Sequence, residues 1–321
     1  MLASSANVGP EPKPELSVVV VSDYNVSGDG VWTELRKTLI ALAAQEFTGT
    51  VEFLLSEQED VAAQAPDELW RILPSLRIVR SPHTGSYALK NHGVREARAD
   101  FVVILDADCR PSPDWLSRIA AAFKAHSDAV VISGRTTYEG LGALDRLLAL
   151  LSRSYLDPGT TGTAQFISNN NAAWRRSVYL DHPLPTDLGP FAARVQSEAV
   201  LRAGGRLFFD PTIQVIHEFE GWPMEADIRR NVGYGTVITR LRDPRMPYAG
   251  LLRIGRLSIP LIVVGKTLNS WRDCLRRWRR YNVRWFELPL ALALAPILAA
   301  MEVPGMWAAF DNRQIFKTAY R

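Results

Sequence analysis

Apolar positions in the first third of the chain follow two different periods. Leu16–Ser22 (LSVVVVS) and Phe101–Leu105 (FVVIL) are short, unbroken, β-branched runs, the pattern of strands covered on both faces of a parallel sheet. Trp32–Gln45 (WTELRKTLIALAAQ) instead places Leu35, Leu39 and Leu42 on one side of a helix. Val51–Leu55 and Leu76–Val79 predict further strands, and Tyr87–Arg98 a further helix. The resulting βαβα order predicts an α/β fold with a twisted, mainly parallel sheet flanked by helices. Farther on, Ser112 as N-cap and Pro113 at the first helical position predict a helix to about Ala125, followed by a strand at Ala129–Ser133.

Composition narrows the class without deciding it. With 321 residues, 47% hydrophobic and 22% charged, the chain can bury a large core, and nothing in the balance suggests disorder. A net charge of +3, from 37 Lys and Arg against 34 Asp and Glu, is too even for a dedicated nucleic-acid binder. Two cysteines, Cys109 and Cys274, lie in segments of different character, which fits a reducing compartment better than a disulfide framework. Residues 1–14 have neither a basic nor an apolar block and read as a polar tail.

Ligands of open parallel sheets gather beyond the carboxyl ends of the strands, and three polar clusters fall there. Ser22, Asp23, Tyr24 and Asn25 follow the first strand, Ser56 and Glu57 the second, and Asp106 and Asp108 end the run VILDADCRP. Two carboxylates one residue apart at a strand end suit a hard divalent cation, Mn²⁺ or Mg²⁺, together with a sugar or ribose hydroxyl. The segment SDYNVSGDG after the first strand lacks the Gly-x-Gly-x-x-Gly of dinucleotide enzymes, which disfavours nicotinamide chemistry.

Four ordered pieces, VVVVSDYN, KNHGVREARADFVVILDADCRPSPDWL, SNNNAAWRRSV and LRAGGRLFFDPTIQVIHEFEG, resemble the family 2 glycosyltransferases of the GT-A fold over roughly Leu16 to Arg242. The resemblance implies an inverting, metal-dependent transfer from a nucleotide-sugar donor, a UDP-sugar foremost, to an acceptor hydroxyl. It implies Asp108 as the direct metal ligand, Asp106 nearer the ribose or sugar, and His217 as a further metal contact. It also implies that Ser22, Asp23, Tyr24 and Asn25 hold the nucleotide, with Lys90, Asn91 and Gly93 beside the donor. Glu57 stands where many members place an Asp against the base. For the general base, the family's acidic pair ahead of a helix ending in Ala-Gly is missing. GPFAARVQSEAVLRAGG offers Glu198, closer to Gly204 than the usual pair, with Asp187 in reserve.

The last third changes character. Trp271, Trp278 and Trp285 recur every seven residues with Leu275 on the same stripe and arginines around it, a pattern suited to a helix lying on an anionic membrane surface. Leu288–Phe310 carries one charge, Glu302, and three prolines; it is close to the ~20 residues that cross a hydrocarbon core, as a kinked span or a re-entrant segment. The other reading is a helical lid over the catalytic domain. Together these features predict a glycosyltransferase domain at 15–245 and a membrane-associating region at 246–321, at the cytoplasmic face, near a lipid-linked or membrane-bound acceptor. No nucleic acid is expected as partner. Two alternatives remain: a phosphohydrolase with Asp106 as nucleophile, in which a Thr would normally stand two residues after the second Asp, and an inactive sugar-nucleotide-binding scaffold.

Overall fold

The apolar run of the first strand becomes the middle of a nine-stranded sheet. In the computed structural model, which describes residues 12–22, 30–139, 142–217 and 222–311, β1 (Leu16–Val21) lies between β2 (Val51–Gln58) and β4 (Phe101–Asp106), and β3 (Leu76–Ser81) lies outside β2. These four strands are parallel. β1 is buried along its whole length, as an unbroken β-branched run requires when helices cover both faces. Beyond β4 the sheet turns mixed. β8 (Asn171–Arg175) pairs antiparallel with β4 and with β6 (Ala129–Tyr138), and β6 runs parallel to β9 (Arg206–His217). Two short strands, β5 (Cys109–Pro111) and β7 (Gly162–Thr163), each pair antiparallel with β9. The expected parallel sheet is therefore the half around β1, and the other half is folded back on itself.

Helix boundaries differ from the expected ones where capping overrides periodicity. The helix after the acidic run begins at Trp115, not Pro113. Ser112 donates its hydroxyl to Asp114 (2.9 Å) and its carbonyl accepts from the Trp115 N–H (3.0 Å), so residues 112–115 close a turn before the helix starts. The helix Ser86–Glu96 crosses the sheet at Gly93, where a Cβ would stand 2.3 Å from Val19 Cγ1. Gly93 is thus explained by close packing of helix on strand.

The C-terminal third is built into the same core. Helices Trp222–Arg242, Ser258–Arg277, Leu288–Ala300 and Val303–Phe310 follow β9. Leu252, Ile259, Met306 and Ala309 belong to the apolar cluster that also holds Val19, Ile104 and Trp174. Gly305 lets the last helix meet the helix Trp222–Arg242, because a Cβ there would lie 1.8 Å from the Arg230 carbonyl. The seven-residue tryptophan stripe is interrupted. Its helix stops at Arg277, Asn282 adopts φ 54°, and Trp278 packs inward against a small cluster with Leu147 and Tyr281, whereas Trp271 and Trp285 stay exposed. The segment Trp285–Phe310 is long and apolar enough to cross a membrane by length and composition. It breaks between its helices at Glu302, which is 3% exposed and ion-paired to Lys266.

Candidate active site

Strand pairing assembles the site. In β5, Cys109 stands opposite His217, and in β6, Tyr138 stands beside His217, so the last residue of β9 is flanked by both. The turn between β4 and β5 carries Asp106 and Asp108 into the same place. Thr38, from the helix Gly30–Ala43, faces the carbonyls of Ala107 (2.6 Å) and Cys109 (3.0 Å) with its hydroxyl and fixes that turn. The outcome is a buried constellation: His217 Nε2 lies 3.2 Å from Asp108 Oδ2, Lys90 Nζ lies 2.6 Å from Asp106 Oδ1, and the Tyr138 ring meets the His217 ring edge-on at 5.4 Å.

Burial governs the electrostatics. It raises Asp108 to about 6, against the opposing pull of the Cys109 thiol and Arg153. It also raises Asp106, with Lys90 pulling the other way and Asp108 adding to the rise. Two desolvated carboxylates side by side are a costly arrangement that a cation relieves. The potential ligand atoms of Asp108, Cys109 and His217 lie within 4.8 Å of one another. Burial and the two aspartates hold the Cys109 thiol far above its usual range, hence protonated. The set that fits a hard divalent ion is therefore carboxylate and imidazole, without the sulfur.

A cavity of ≈ 410 Å³ opens from this point, lined by Lys90, Asp106, Tyr138, Arg153, Asn169, Asn170 and His217 on the sheet side. Asn169 accepts from the Trp174 indole N–H (2.9 Å) and donates to Gln196 (2.8 Å), and Asn171 accepts from the Trp115 indole N–H (2.9 Å). The asparagine run of SNNNAAWRRSV thus satisfies two buried indoles, a structural duty added to its place beside the cavity. Opposite stand Glu225, Arg229, Lys266, Asp273 and Glu302 from the C-terminal helices.

Other expected site residues are placed differently. Asn91 donates to the Leu184 carbonyl (2.8 Å) and accepts from the Leu184 N–H and the Tyr179 hydroxyl (both 3.0 Å). Its amide is engaged inside the fold, and neither Asn91 nor Gly93 lines the cavity described above. Glu198 does not line the cavity; Arg194 and Arg202 each hold it at 3.3 Å. Asp187 is half-buried and paired to Arg242 at 2.5 Å. Neither expected base lines the cavity beside Asp106 and His217. Glu57 ends β2 almost fully buried, one oxygen accepting from the Gln58 N–H (2.7 Å) and the other without a partner; burial pushes its carboxyl up to about 7. Ser22 lies at the half-buried end of β1, while Asp23, Tyr24 and Asn25 fall outside the described residues.

Tyr138, Arg153, Glu225, Arg229, Lys266 and Glu302 complete the cavity without having been singled out in the sequence. They come from one strand, three separate helices and the turn between the last two helices, so no local spacing announces them. The one available signal was the isolated charges at Lys266 and Glu302 inside apolar segments.

Comparison with known proteins follows from this geometry. The profile of Glycosyl transferase family 2 matches residues 18–182. Among solved structures, the mannosyltransferase PcManGT from Pyrobaculum calidifontis, in complex with GDP-Man and Mn²⁺, is similar with a TM-score of 0.58 and 18% identity, over 93% of this chain and 88% of that one. S. aureus TarS 1–349 is similar with a TM-score of 0.50 and 15% identity, over 93% and 90%. At these identities the likeness is one of fold. A search of curated proteins gives no match.

Proposed function

Because this chain belongs to glycosyl transferase family 2, we propose that it moves a sugar from a nucleoside-diphosphate sugar to a hydroxyl acceptor with inversion, using a divalent cation held by Asp108 and His217. The observation that carries this reading is the pairing of Asp108 with His217 at 3.2 Å beside a second buried carboxylate at the mouth of a cavity. PcManGT, of similar fold, is described with GDP-Man and Mn²⁺, which supports a nucleotide-sugar donor and a divalent ion, Mn²⁺ or Mg²⁺. When bound, such an ion supplies charge neutralisation for the departing diphosphate.

The chain's own groups then divide the remaining tasks. Lys90, 2.6 Å from Asp106, opposes the rise that burial imposes on its carboxyl and orients it toward the sugar or ribose. Arg153 has its guanidinium 5.5 Å from the Tyr138 ring centroid and a buried Nε without a hydrogen-bond partner, so it offers a donor to the diphosphate. Glu57 presents its unpartnered oxygen to the nucleobase. For the base we replace Glu198 and Asp187 by Glu225, which is buried, lines the cavity and accepts from Arg229 Nε at 2.7 Å. Glu225 takes the proton from the acceptor hydroxyl while that oxygen bonds to the anomeric carbon. The bond from that carbon to the diphosphate oxygen breaks, and its electron pair leaves with the diphosphate.

The acceptor side is read from the outer face of the C-terminal helices. Leu261, Val264, Leu268 and Leu275 recur on one exposed side of the helix Ser258–Arg277, extended by Leu257 at its N-cap, with Arg272 and Arg276 exposed beside them. This amphipathic ridge suits in-plane docking on an anionic leaflet, at the cytoplasmic face, next to a lipid-linked acceptor. Incubating the full chain with UDP- and GDP-sugars and Mn²⁺ tests the proposal. Slow, chelator-sensitive release of nucleoside diphosphate is expected, whereas free phosphate from small phosphomonoesters, or binding without turnover, would contradict it.

A further inference from the structure

One ring at the end of β6 touches two groups of the site. Tyr138 stands beside His217 in the strand register, and the Glu139 N–H donates to the His217 carbonyl (3.0 Å), so the two backbones are fixed to each other. The Tyr138 ring meets the His217 ring edge-on at 5.4 Å, with 71° between their planes. The same ring lies under the guanidinium of Arg153, whose carbon is 5.5 Å from the ring centroid. A single aromatic side chain therefore contacts both the imidazole assigned to the cation and the guanidinium assigned to the diphosphate.

Backbone contacts fix where these two groups start but not where they point. Arg153 is the last residue of the helix Ala143–Arg153, and the C-terminal helices hold the chain on either side of it. Arg229 Nη2 donates to the Ser152 hydroxyl (2.6 Å), and Arg277 Nη1 donates to the Ser154 carbonyl. Beyond its Cα the Arg153 side chain has rotamers of its own, which these contacts do not select. His217 is held in the sheet by β5 and β6, yet its ring still turns about the Cβ–Cγ bond. Asp108 sets the direction of Nε2 at 3.2 Å, and the Tyr138 ring limits the plane. An aliphatic side chain of similar volume would fill the space, but it offers no π face to a cation and no edge-on partner to an imidazole.

We propose that Tyr138 is a positioning residue whose ring holds His217 in the plane that serves a cation shared with Asp108 and, at the same time, holds Arg153 toward the donor diphosphate. This deepens the glycosyltransferase reading and rests on its assignment of those two groups. The test titrates Mn²⁺ into the full chain, alone and with UDP or GDP present, and follows the signal of the free ion by electron paramagnetic resonance. In parallel, UDP is compared with UMP, and GDP with GMP, at saturating Mn²⁺. Tyr138→Leu is expected to weaken Mn²⁺ binding about fivefold or more and to cut the preference for diphosphate over monophosphate by a similar factor. Tyr138→Phe keeps the ring and should hold both quantities within about twofold of wild type. A side chain that served only to fill space would lower the melting temperature of Tyr138→Leu and move neither quantity. Should Tyr138→Leu not fold, Tyr138→Met, also without a ring, decides by the same comparison.

Unchanged Mn²⁺ affinity and diphosphate preference in the folded, ring-less variant would overturn the proposal. Loss of only one of the two would overturn the claim that one ring serves both groups. Equal losses in Tyr138→Phe and Tyr138→Leu would overturn it in favour of the hydroxyl. Absence of Mn²⁺-dependent nucleotide binding in the wild type is a separate failure, that of the transferase reading itself.

Discussion

On the sheet side of the cavity, Asp106 and His217 stand at strand ends and Asp108 in the turn beside them, brought together by strand register and by Thr38, which fixes that turn. On the helical side, the Glu225–Arg229 pair of one helix meets Lys266 of another and Glu302 of the turn between the last two, segments far apart in the chain that come together only through packing. The sheet side concentrates carboxylates whose protonation is raised by burial; the helical side pairs almost every charge with an opposite one. The sheet-side carboxylates are left electrostatically unsatisfied, as the proposed cation site would require, whereas the helical wall is satisfied internally. If so, damage to the helical wall should disturb folding and chemistry together, and damage to the metal pair should disturb chemistry alone.

Cutting the chain after Arg245 gives the largest expected effect. It removes Lys266, Asp273 and Glu302 from the cavity and uncovers the core around Val237 and Ile238. Turnover should fall below detection, and the fragment should bind a hydrophobic dye and lose cooperative unfolding. A soluble, active fragment would make the C-terminal third a detachable anchor, as the sequence alone suggested.

Next in size is the contrast between two glutamates. Glu225→Gln should lower kcat by about 10²- to 10⁴-fold with donor affinity unchanged, while Glu198→Gln should stay within about threefold of wild type. Single-turnover rates with a competent acceptor decide it; the reverse ranking would return the base to the helix Ala192–Arg202.

That contrast also shows where sequence reading reached its limit. Asp106, Asp108 and His217 were legible because strand-end motifs are local and ordered along the chain. Asn91 and Gly93 occupied the right segment, but a buried amide closing on Leu184 and a glycine pressed on Val19 have no distinctive signature. Glu198 was the sole acid in its segment, yet two flanking arginines on its own helix claim it. Periodicity placed an apolar, basic face in the last third, but the exposed ridge runs from Leu257 to Leu275. The tryptophan heptad breaks at Asn282 because a left-handed residue ends the helical register.

A smaller effect separates packing from chemistry on the helical side. Gly305→Val places side-chain atoms against the Arg230 carbonyl and should destabilise by about 2–4 kcal/mol, while Gly250→Ala, which meets open space, should change stability by under about 0.5 kcal/mol. Denaturant midpoints at constant slope are the readout.

Smallest is a pH effect on the sheet side. Glu57 rises from its ordinary 4.5 to about 7 on folding, so the folded state holds the proton more tightly than the unfolded chain does. Wild-type stability from this group is therefore complete below about pH 4.5 and is lost as pH climbs through about 7, by up to about 3 kcal/mol. Glu57→Gln should flatten that slope and be the more stable protein at pH 8, by about 1–3 kcal/mol, while binding nucleotide more weakly. An unaltered slope between pH 5 and 7 would assign the dependence to another group.

The most direct test of the account is calorimetric titration of UDP- and GDP-sugars into the full chain, with Mn²⁺ and with chelator, for wild type and Asp108→Asn. The account predicts Mn²⁺-dependent donor binding that the substitution weakens by about 100-fold or more with the melting temperature no lower than wild type, since removing a buried, desolvated charge does not harm the core. Donor affinity indifferent to both chelator and substitution would contradict it.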